Sequence, residues 1–220
     1  MRKILITVLI IFGFGAAAYG SDLSIGGGIS YTPITSKISV GDWGWEGSTS
    51  DHFNFTTINA YIDIKYVQAM LTYGMRLSGS YDSEGSFSGS GEYTNKETYL
   101  GVGVILKYPF VFDTFSLFPL VGFESDLNLS YQDASGNDLK SGLTLDEKDH
   151  LNMYFIKLGA GADINIGKRM FFRPVVILGY KLRSRLEKDI VEYYKDTYGL
   201  LDVEIHTVKW DLTMLIGYRL

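Results

Sequence analysis

The stretch Thr207–Leu220, TVKWDLTMLIGYRL, indicates the fold most clearly, because its residues alternate between two chemical classes. Every second residue from Val208 to Leu220 is apolar. The other face is mostly polar or small and carries Thr207, Lys209, Asp211, Thr213, Leu215, Gly217 and Arg219. Side chains with a period of two point to opposite faces of a strand. The segment is therefore predicted to be a β-strand with one apolar face.

The same alternation recurs in seven segments upstream, which makes eight in all. They are 23–31, 58–65, 68–78, 100–107, 117–124, 156–164 and 172–181. Their lengths are close to the roughly 10 residues that a tilted strand needs to cross a membrane. After the N-terminal region, no stretch reaches the roughly 18 apolar residues of a membrane-spanning helix.

The connections between these segments alternate in length. Three are short, at 65–67, 108–114 and 167–169, and four are long and rich in Gly, Ser, Asp, Asn and Tyr, at 33–53, 79–97, 128–152 and 184–205. Short turns at one end and long loops at the other are typical of outer-membrane barrels. An even number of strands places both termini on the short-turn side.

The two faces are assigned by the charges, because alternation alone would also fit a soluble barrel with an apolar interior. The apolar face of all eight segments lacks Asp, Glu, Lys and Arg. The other face mixes glycine with charged residues, which suits the narrow interior of a small barrel. Aromatic residues also cluster where the membrane interfaces would fall. We predict an all-β fold, an eight-stranded antiparallel up-and-down transmembrane β-barrel.

The N-terminus has the pattern of a signal peptide. Arg2 and Lys3 precede an apolar core from Ile4 to Phe14, and Ala18-Tyr19-Gly20 offers a cleavage site after Gly20. The core is too short for a retained membrane anchor. The prediction is a cleaved signal at 1–20 and a barrel at 21–220, in the outer membrane of a Gram-negative-type envelope, with periplasmic termini and membrane lipid around it.

Composition narrows the chemistry. The chain has no Cys, which excludes disulfides and thiolate chemistry, and its net charge of −5 does not favour nucleic acid. His52, His150 and His206 are scattered and form no metal-ligand or catalytic spacing. His206 is followed by Thr-Val-Lys rather than the His-x-Ser-Asn of lipid A deacylases. We expect no enzymatic activity, no cofactor and no metal.

Several short motifs resemble a known family. The stretch IKLGAGAD at 156–163, the turn Gly167-Lys168-Arg169, Phe172-Arg173-Pro174 and FPLVG at 118–122 look like the small opacity/porin-like barrels. The resemblance implies an OmpA/OmpX/OmpW-like barrel inserted by the outer-membrane assembly machinery. One departure concerns the assembly signal: such barrels usually end in Phe or Trp, whereas this chain ends in Leu220.

The inward face is predicted to hold a cluster of charges. Its basic members are Lys65, Arg76, Lys107, Lys157, Arg173, Lys181, Arg183, Lys209 and Arg219, and its acidic members are Asp63, Glu124, Asp126, Asp163 and Asp211. Charges in so narrow a space must pair or stay hydrated. They predict either a salt-bridged plug, which we favour, or a narrow channel that prefers anions.

The four long connections are acidic and carry aromatic residues suited to surface contacts. These are Trp43, Trp45 and Phe53 in the first, and Tyr193, Tyr194 and Tyr198 in the last. The first hypothesis is a monomeric barrel with a structural or surface-interaction role, binding an extracellular ligand through its loops. The alternative is a porin-like channel, or a conduit for small apolar molecules past inward Phe118, Leu120, Val175, Ile177 and Leu215.

Overall fold

The computed structural model describes residues 23–42, 45–85, 89–182, 187–188, 191–192, 195–196 and 202–220. The predicted signal peptide and its cleavage site lie outside these residues. Ten strands run in chain order: β1 Leu23–Asp42, β2 Trp45–Ile64, β3 Val67–Gly85, β4 Gly89–Tyr93, β5 Lys96–Lys107, β6 Phe110–Val111, β7 Phe115–Gln132, β8 Met153–Asn165, β9 Met170–Lys181 and β10 Asp202–Arg219.

Eight of these strands form a closed antiparallel ring. Each of β1, β2, β3, β5, β7, β8, β9 and β10 pairs with its neighbour in that order, and β10 pairs back with β1. The other two strands are short additions: β4 extends the hairpin beside β3, and β6 pairs with β7. The predicted eight-stranded up-and-down barrel is confirmed.

Two short helical segments lie in the connection between β7 and β8. A 3₁₀ turn covers Lys140–Gly142, and α1 covers Leu145–His150. The backbone N–H and hydroxyl of Thr144 both donate to the Glu147 carboxylate, and these hydrogen bonds hold the pKa of Glu147 below its usual value. Within the described part of the chain, no helix is long and apolar enough to span a membrane.

The two ends of the barrel differ. The short-turn end holds the turns at 65–66, 108–114 and 166–169. It also holds the start of β1 and the end of β10, where the Leu220 N–H donates to the Leu23 carbonyl. The opposite end, called here the long-connection end, is taller than predicted. The loops expected at 33–53 and 79–97 are largely strand, because β1, β2 and β3 continue outward as paired ladders and β4 joins them.

The barrel is apolar outside and mixed inside. Outward side chains such as Ile58, Leu158 and Met214 are more than 60% exposed, whereas Lys209 and Glu124 on the inner face are 0% exposed. This distribution is the reverse of a soluble barrel, and it follows the alternation read from the sequence. A closed ring without free edges, with hydrocarbon side chains outward, satisfies every requirement of a strand-built membrane protein.

Glycines make room for large rings inside this narrow barrel. Glycines of the inner face lie directly across the ladder from aromatic residues in the pairs Gly26–Tyr61, Gly74–Tyr99, Gly161–Phe118 and Gly217–Phe171. A side chain added at any of these glycines would overlap the ring or hydroxyl of its partner. The glycines of the inner face thus provide the space that the aromatic rings across the ladder occupy.

Candidate functional site

The candidate site is the lumen, which the structure divides into layers. Six basic and seven acidic side chains are buried among the described residues. They are Arg76, Lys107, Lys157, Arg173, Lys181 and Lys209, with Asp63, Glu97, Glu124, Asp126, Asp163, Glu187 and Asp211. These buried charges do not show the basic excess expected from the sequence, but Lys65, Arg183 and Arg219, which that expectation also counted, are not among them. A channel that prefers anions therefore stays a prediction.

The first layer, at the short-turn end, is the Arg173 network. Arg173 donates through Nη2 to Asp63 (2.6 Å) and through Nη1 to Gln68 (2.7 Å), and it forms a two-pronged pair with Asp163. Lys107 joins it by donating to Asp63 at 2.6 Å. The guanidinium also stacks on the Tyr61, Phe118 and Phe171 rings. This layer ties strands β2, β3, β5, β8 and β9 together.

The second layer is an apolar plug. It consists of Met70, Ile105, Phe118, Leu120, Val175, Ile177 and Leu215, all of them buried. On β5 and β9 its residues lie next to the positions of Lys107 and Arg173 in the first layer, and on β7 and β10 they lie towards the positions of Glu124 and Asp211 in the next charged layer. A cavity of about 10 Å³ lies among these side chains, roughly the room that a single water molecule needs. The layer is therefore closely packed.

Hydroxyl and amide groups form a polar belt above the plug. Thr72 donates to Asn59, Asn59 donates to Ser30, and Ser30 shares a hydrogen bond of 2.7 Å with Thr213. These short side chains carry no charge and satisfy one another. The belt is therefore a second uncharged section of the lumen. Its hydrogen bonds link the neighbouring strands β10, β1, β2 and β3.

The Lys209 network is the next charged layer. Lys209 donates to Asp126 at 2.7 Å and also to Glu124, while Lys157 donates to Glu124 and, at 2.7 Å, to Asp211. Thr32 completes it with a hydrogen bond of 2.9 Å to Asp211. Because each lysine contacts two carboxylates, neither charge is left isolated in the interior.

A cup opens above this network at the long-connection end. Its cavity is about 520 Å³, and all eight ring strands contribute to its wall. Two further ion pairs lie in the wall, Arg76–Glu97 at 2.8 Å and Lys181–Glu187 at 2.7 Å. The Phe53 ring covers the Arg76 guanidinium, with 4.3 Å from the ring centroid to Cζ. A smaller cavity of about 200 Å³ lies at the short-turn end beneath the Arg173 network.

Some predicted site residues lie elsewhere than expected. Lys65 is not in the lumen, because the β2–β3 turn takes it out of the strand at a φ of +47°, and it is exposed at the edge of the smaller cavity. Arg219 is half-buried against the Phe171 ring. Phe53, expected in a loop, lies on β2 inside the cup. Arg183 lies outside the described residues.

The other loop aromatics add little to the site. Trp45 begins β2, but its side chain is outside the description, and Trp43, Tyr193, Tyr194 and Tyr198 lie outside the described residues altogether. Sequence reasoning missed Glu97 and Glu187. Glu97 was detectable, because extending the alternation of 100–107 outward by three residues places it on the inner face with Lys107. Glu187 lay in a predicted loop without periodicity.

A metal site would require several His, Asp or Glu side chains to lie close together. In the part of the chain that the structure describes, no group of three or more His, Asp or Glu side chains is placed to hold a metal ion. His52 bonds to Thr35, and His206 lies between Tyr180 and Glu204 on the outside of the barrel. Both imidazoles are therefore engaged in contacts at the outer surface, away from the lumen.

A closed barrel with a hydrocarbon exterior and a packed, charged interior defines a transmembrane β-barrel. No protein-family model and no curated protein matches the chain. Among solved structures, it is similar to Neisserial surface protein A, at 14% identity and a TM-score of 0.42 over 91% of this chain and 98% of that one.

Two other solved structures are similar over comparable lengths. The outer membrane protein OprG from Pseudomonas aeruginosa has 15% identity and a TM-score of 0.44, over 91% of this chain and 96% of that one. Ail, the attachment invasion locus protein of Yersinia pestis, has 13% identity and a TM-score of 0.34, over 90% and 99%. At such identities nothing about ligands or partners transfers to this chain.

Proposed function

We propose that this protein is an outer-membrane barrel with a sealed lumen, which presents its long-connection end to the outside of the cell as an interaction surface. The termini then lie in the periplasm, the apolar exterior contacts outer-membrane lipid, and the envelope's barrel-assembly machinery inserts the chain. A ring without free edges needs no partner strand, so the proposed state is a monomer.

The apolar plug is the observation that carries this proposal. An ion crossing the plug would have to shed its hydration shell in a layer of hydrocarbon side chains, which costs several kcal/mol or more. The charged networks on either side do not help, because their lysines and arginines are already bonded to carboxylates. The interior is thus suited to hold the barrel rigid, which leaves the external end for contacts.

The alternative of a conduit for apolar molecules has one supporting feature, the hydrocarbon character of the plug itself. Passage would require the Phe118 and Leu120 side chains to leave their packed positions. Both are less than 5% exposed. The sealed barrel is therefore the better-supported function.

Planar-bilayer recording tests the proposal. The folded chain, checked by its heat-modifiable gel shift, is expected to give no steady single-channel current. A variant with Phe118→Gly, Leu120→Gly and Ile177→Gly removes three of the seven side chains of the plug, including its aromatic ring, and is expected to conduct. Its matched control, Leu117→Gly with Val121→Gly and Leu178→Gly, changes the lipid-facing neighbours on the same two strands and should stay silent. Steady current from the unmodified chain would contradict the proposal.

A further inference from the structure

The cup has the dimensions of a small-molecule site. Its volume of about 520 Å³ falls within the range of roughly 300–1,000 Å³ that ligand pockets occupy. Its floor is formed by Ile34, Phe55 and Tyr99, which pack together and are about 1% exposed. The Lys209 network lies below this floor, so a ligand in the cup would meet a closed base.

The cup wall contains two ion pairs and one further carboxylate. Arg76 is held by Glu97, and Lys181 is held by Glu187. Asp51, on the outward extension of β2, also lines the cavity. It forms no ion pair within 4 Å among the described residues, and the charges of His52 and Arg76 act on it from farther away. The wall therefore has two internally paired sites and one carboxylate able to accept a cation.

The rest of the wall near Asp51 is hydrocarbon. Phe53 and Phe55 follow Asp51 on β2, Ile34 and Ile38 come from the paired strand β1, and Ile205 and Met153 lie on β10 and β8. The pairing of β1 with β2 continues past Asp51, which faces Ser36 in the ladder. A carboxylate on a rigid ladder beside aromatic and branched side chains recognises a cation that carries an apolar body.

We propose that the cup binds a small organic amine, with the ammonium group paired to Asp51 and the hydrocarbon part against Phe53, Phe55 and Ile34. An organic anion is less favoured, because Glu97 and Glu187 already neutralise Arg76 and Lys181, although the Arg76 Nε–H has no hydrogen-bond partner among the described residues. This inference rests on the proposed function only for the cup's exposure to the cell exterior.

Methionine-methyl NMR tests the proposal on the full chain, expressed in bacteria, purified from membranes and placed in lipid nanodiscs. Met153 lines the cup, whereas Met170 and Met214 face outward on the barrel wall and report partitioning of the probe into lipid. The probe is 2-phenylethylamine. Its matched controls are 2-phenylethanol, which lacks the charge, and 3-phenylpropionate, which reverses it.

The expected result is a saturable shift of the Met153 methyl with the amine and a much weaker response to the two controls. Asp51→Asn should weaken amine binding about tenfold or more. Asp113→Asn, an exposed carboxylate at the short-turn end, should leave it unchanged. The probe comparison needs no variant, so it remains decisive if Asp51→Asn fails to fold.

Three results would overturn the proposal. One is an equal Met153 response to amine and alcohol, which would make the cup merely apolar. Another is a response to the carboxylate alone, which would assign recognition to Arg76 or Lys181. The third is no Met153 shift while Met214 shifts. None of these bears on bilayer conductance, so failure here is distinguishable from failure of the sealed-lumen proposal.

Discussion

At the scale of single residues, packing of the barrel interior depends on glycines that lie opposite large aromatic side chains. Gly217 on β10 faces Phe171 on β9, and the ring lies over the glycine backbone. The Arg173 guanidinium stacks on that same ring, at 4.9 Å from its centroid. The glycine therefore determines where the ring lies, and the ring supports the buried arginine.

Gly217→Ala is expected to destabilise the folded barrel, because the added methyl group overlaps both the Phe171 ring and the Tyr61 hydroxyl. Overpacking of this kind costs about 1–3 kcal/mol. Urea unfolding in lipid vesicles measures the change in the free energy of unfolding. Gly142→Ala is the control, since nothing lies within 4 Å of a side chain added there. Equal effects at the two sites would refute the size-matching account.

Arg173→Met is expected to lower the free energy of unfolding more than the substitution of an exposed arginine does. It removes the partner that Asp63 and Asp163 share and leaves two buried carboxylates to one lysine. Breaking a buried ion pair in this way costs about 3–5 kcal/mol. The same unfolding assay applies, with Arg169→Met in the exposed turn as the matched control. A loss below about 1 kcal/mol would show that the network contributes little to stability.

At the scale of elements, the strands at the long-connection end extend well past the segments with apolar alternation. β1 continues to Asp42 and β2 begins at Trp45, so the region expected as a loop is a hairpin. The added residues are mainly Ser, Thr, Gly and charged groups, which carry no strand-like hydropathy. Their strand structure comes from backbone pairing with an already formed ladder, a cause that periodicity does not register.

Hydrogen exchange checks this extension. Backbone amides of 35–41 and 46–52 are expected to exchange slowly, because the β1–β2 ladder pairs them. The turn at 133–137 serves as the internal reference, where exchange should be fast. Mass spectrometry of the folded barrel, digested after labelling, resolves the three segments. Exchange of 35–41 as fast as the turn would show that the hairpin is not formed in solution.

At the scale of the whole molecule, the outer surface determines where the barrel can reside. A belt of branched and aromatic side chains surrounds the ring, and aromatic contacts gather at the short-turn end. There Tyr66 stacks on Tyr108, and Phe112 stacks on Phe115 with 4.7 Å between centroids. Amphipathic rings at this height suit the boundary between hydrocarbon and headgroups.

Val176→Arg tests the lipid-facing assignment, because this side chain lies in the middle of β9 on the outer face. A guanidinium at the bilayer midplane costs about 2–4 kcal/mol. The free energy of folding into vesicles should become less favourable by that amount. Leu145→Arg, on α1 outside the ring and 84% exposed, should leave it unchanged. If Val176→Arg left the free energy of folding unchanged, the outer face of β9 would not contact lipid.

Local chemistry was enough to predict the number of ring strands, their alternation and the face that meets lipid, since a strand between hydrocarbon and a narrow interior must alternate residue by residue. The alternation also identified the inward positions of the plug, Phe118 and Leu120 among them. The packing of the lumen was not readable in this way, because it depends on how side chains from many strands fill one space.

Which charges meet became clear only from the folded barrel. Arg173 bonds to Asp63 across 110 residues, and Lys209 bonds to Asp126 across 83 residues, so neither pair has a signal in spacing. The hairpin that carries Asp51 and Phe53 likewise depends on pairing between strands rather than on hydropathy. Alternation fixes the side of a strand on which a residue lies, whereas register and closure fix the residue across from it.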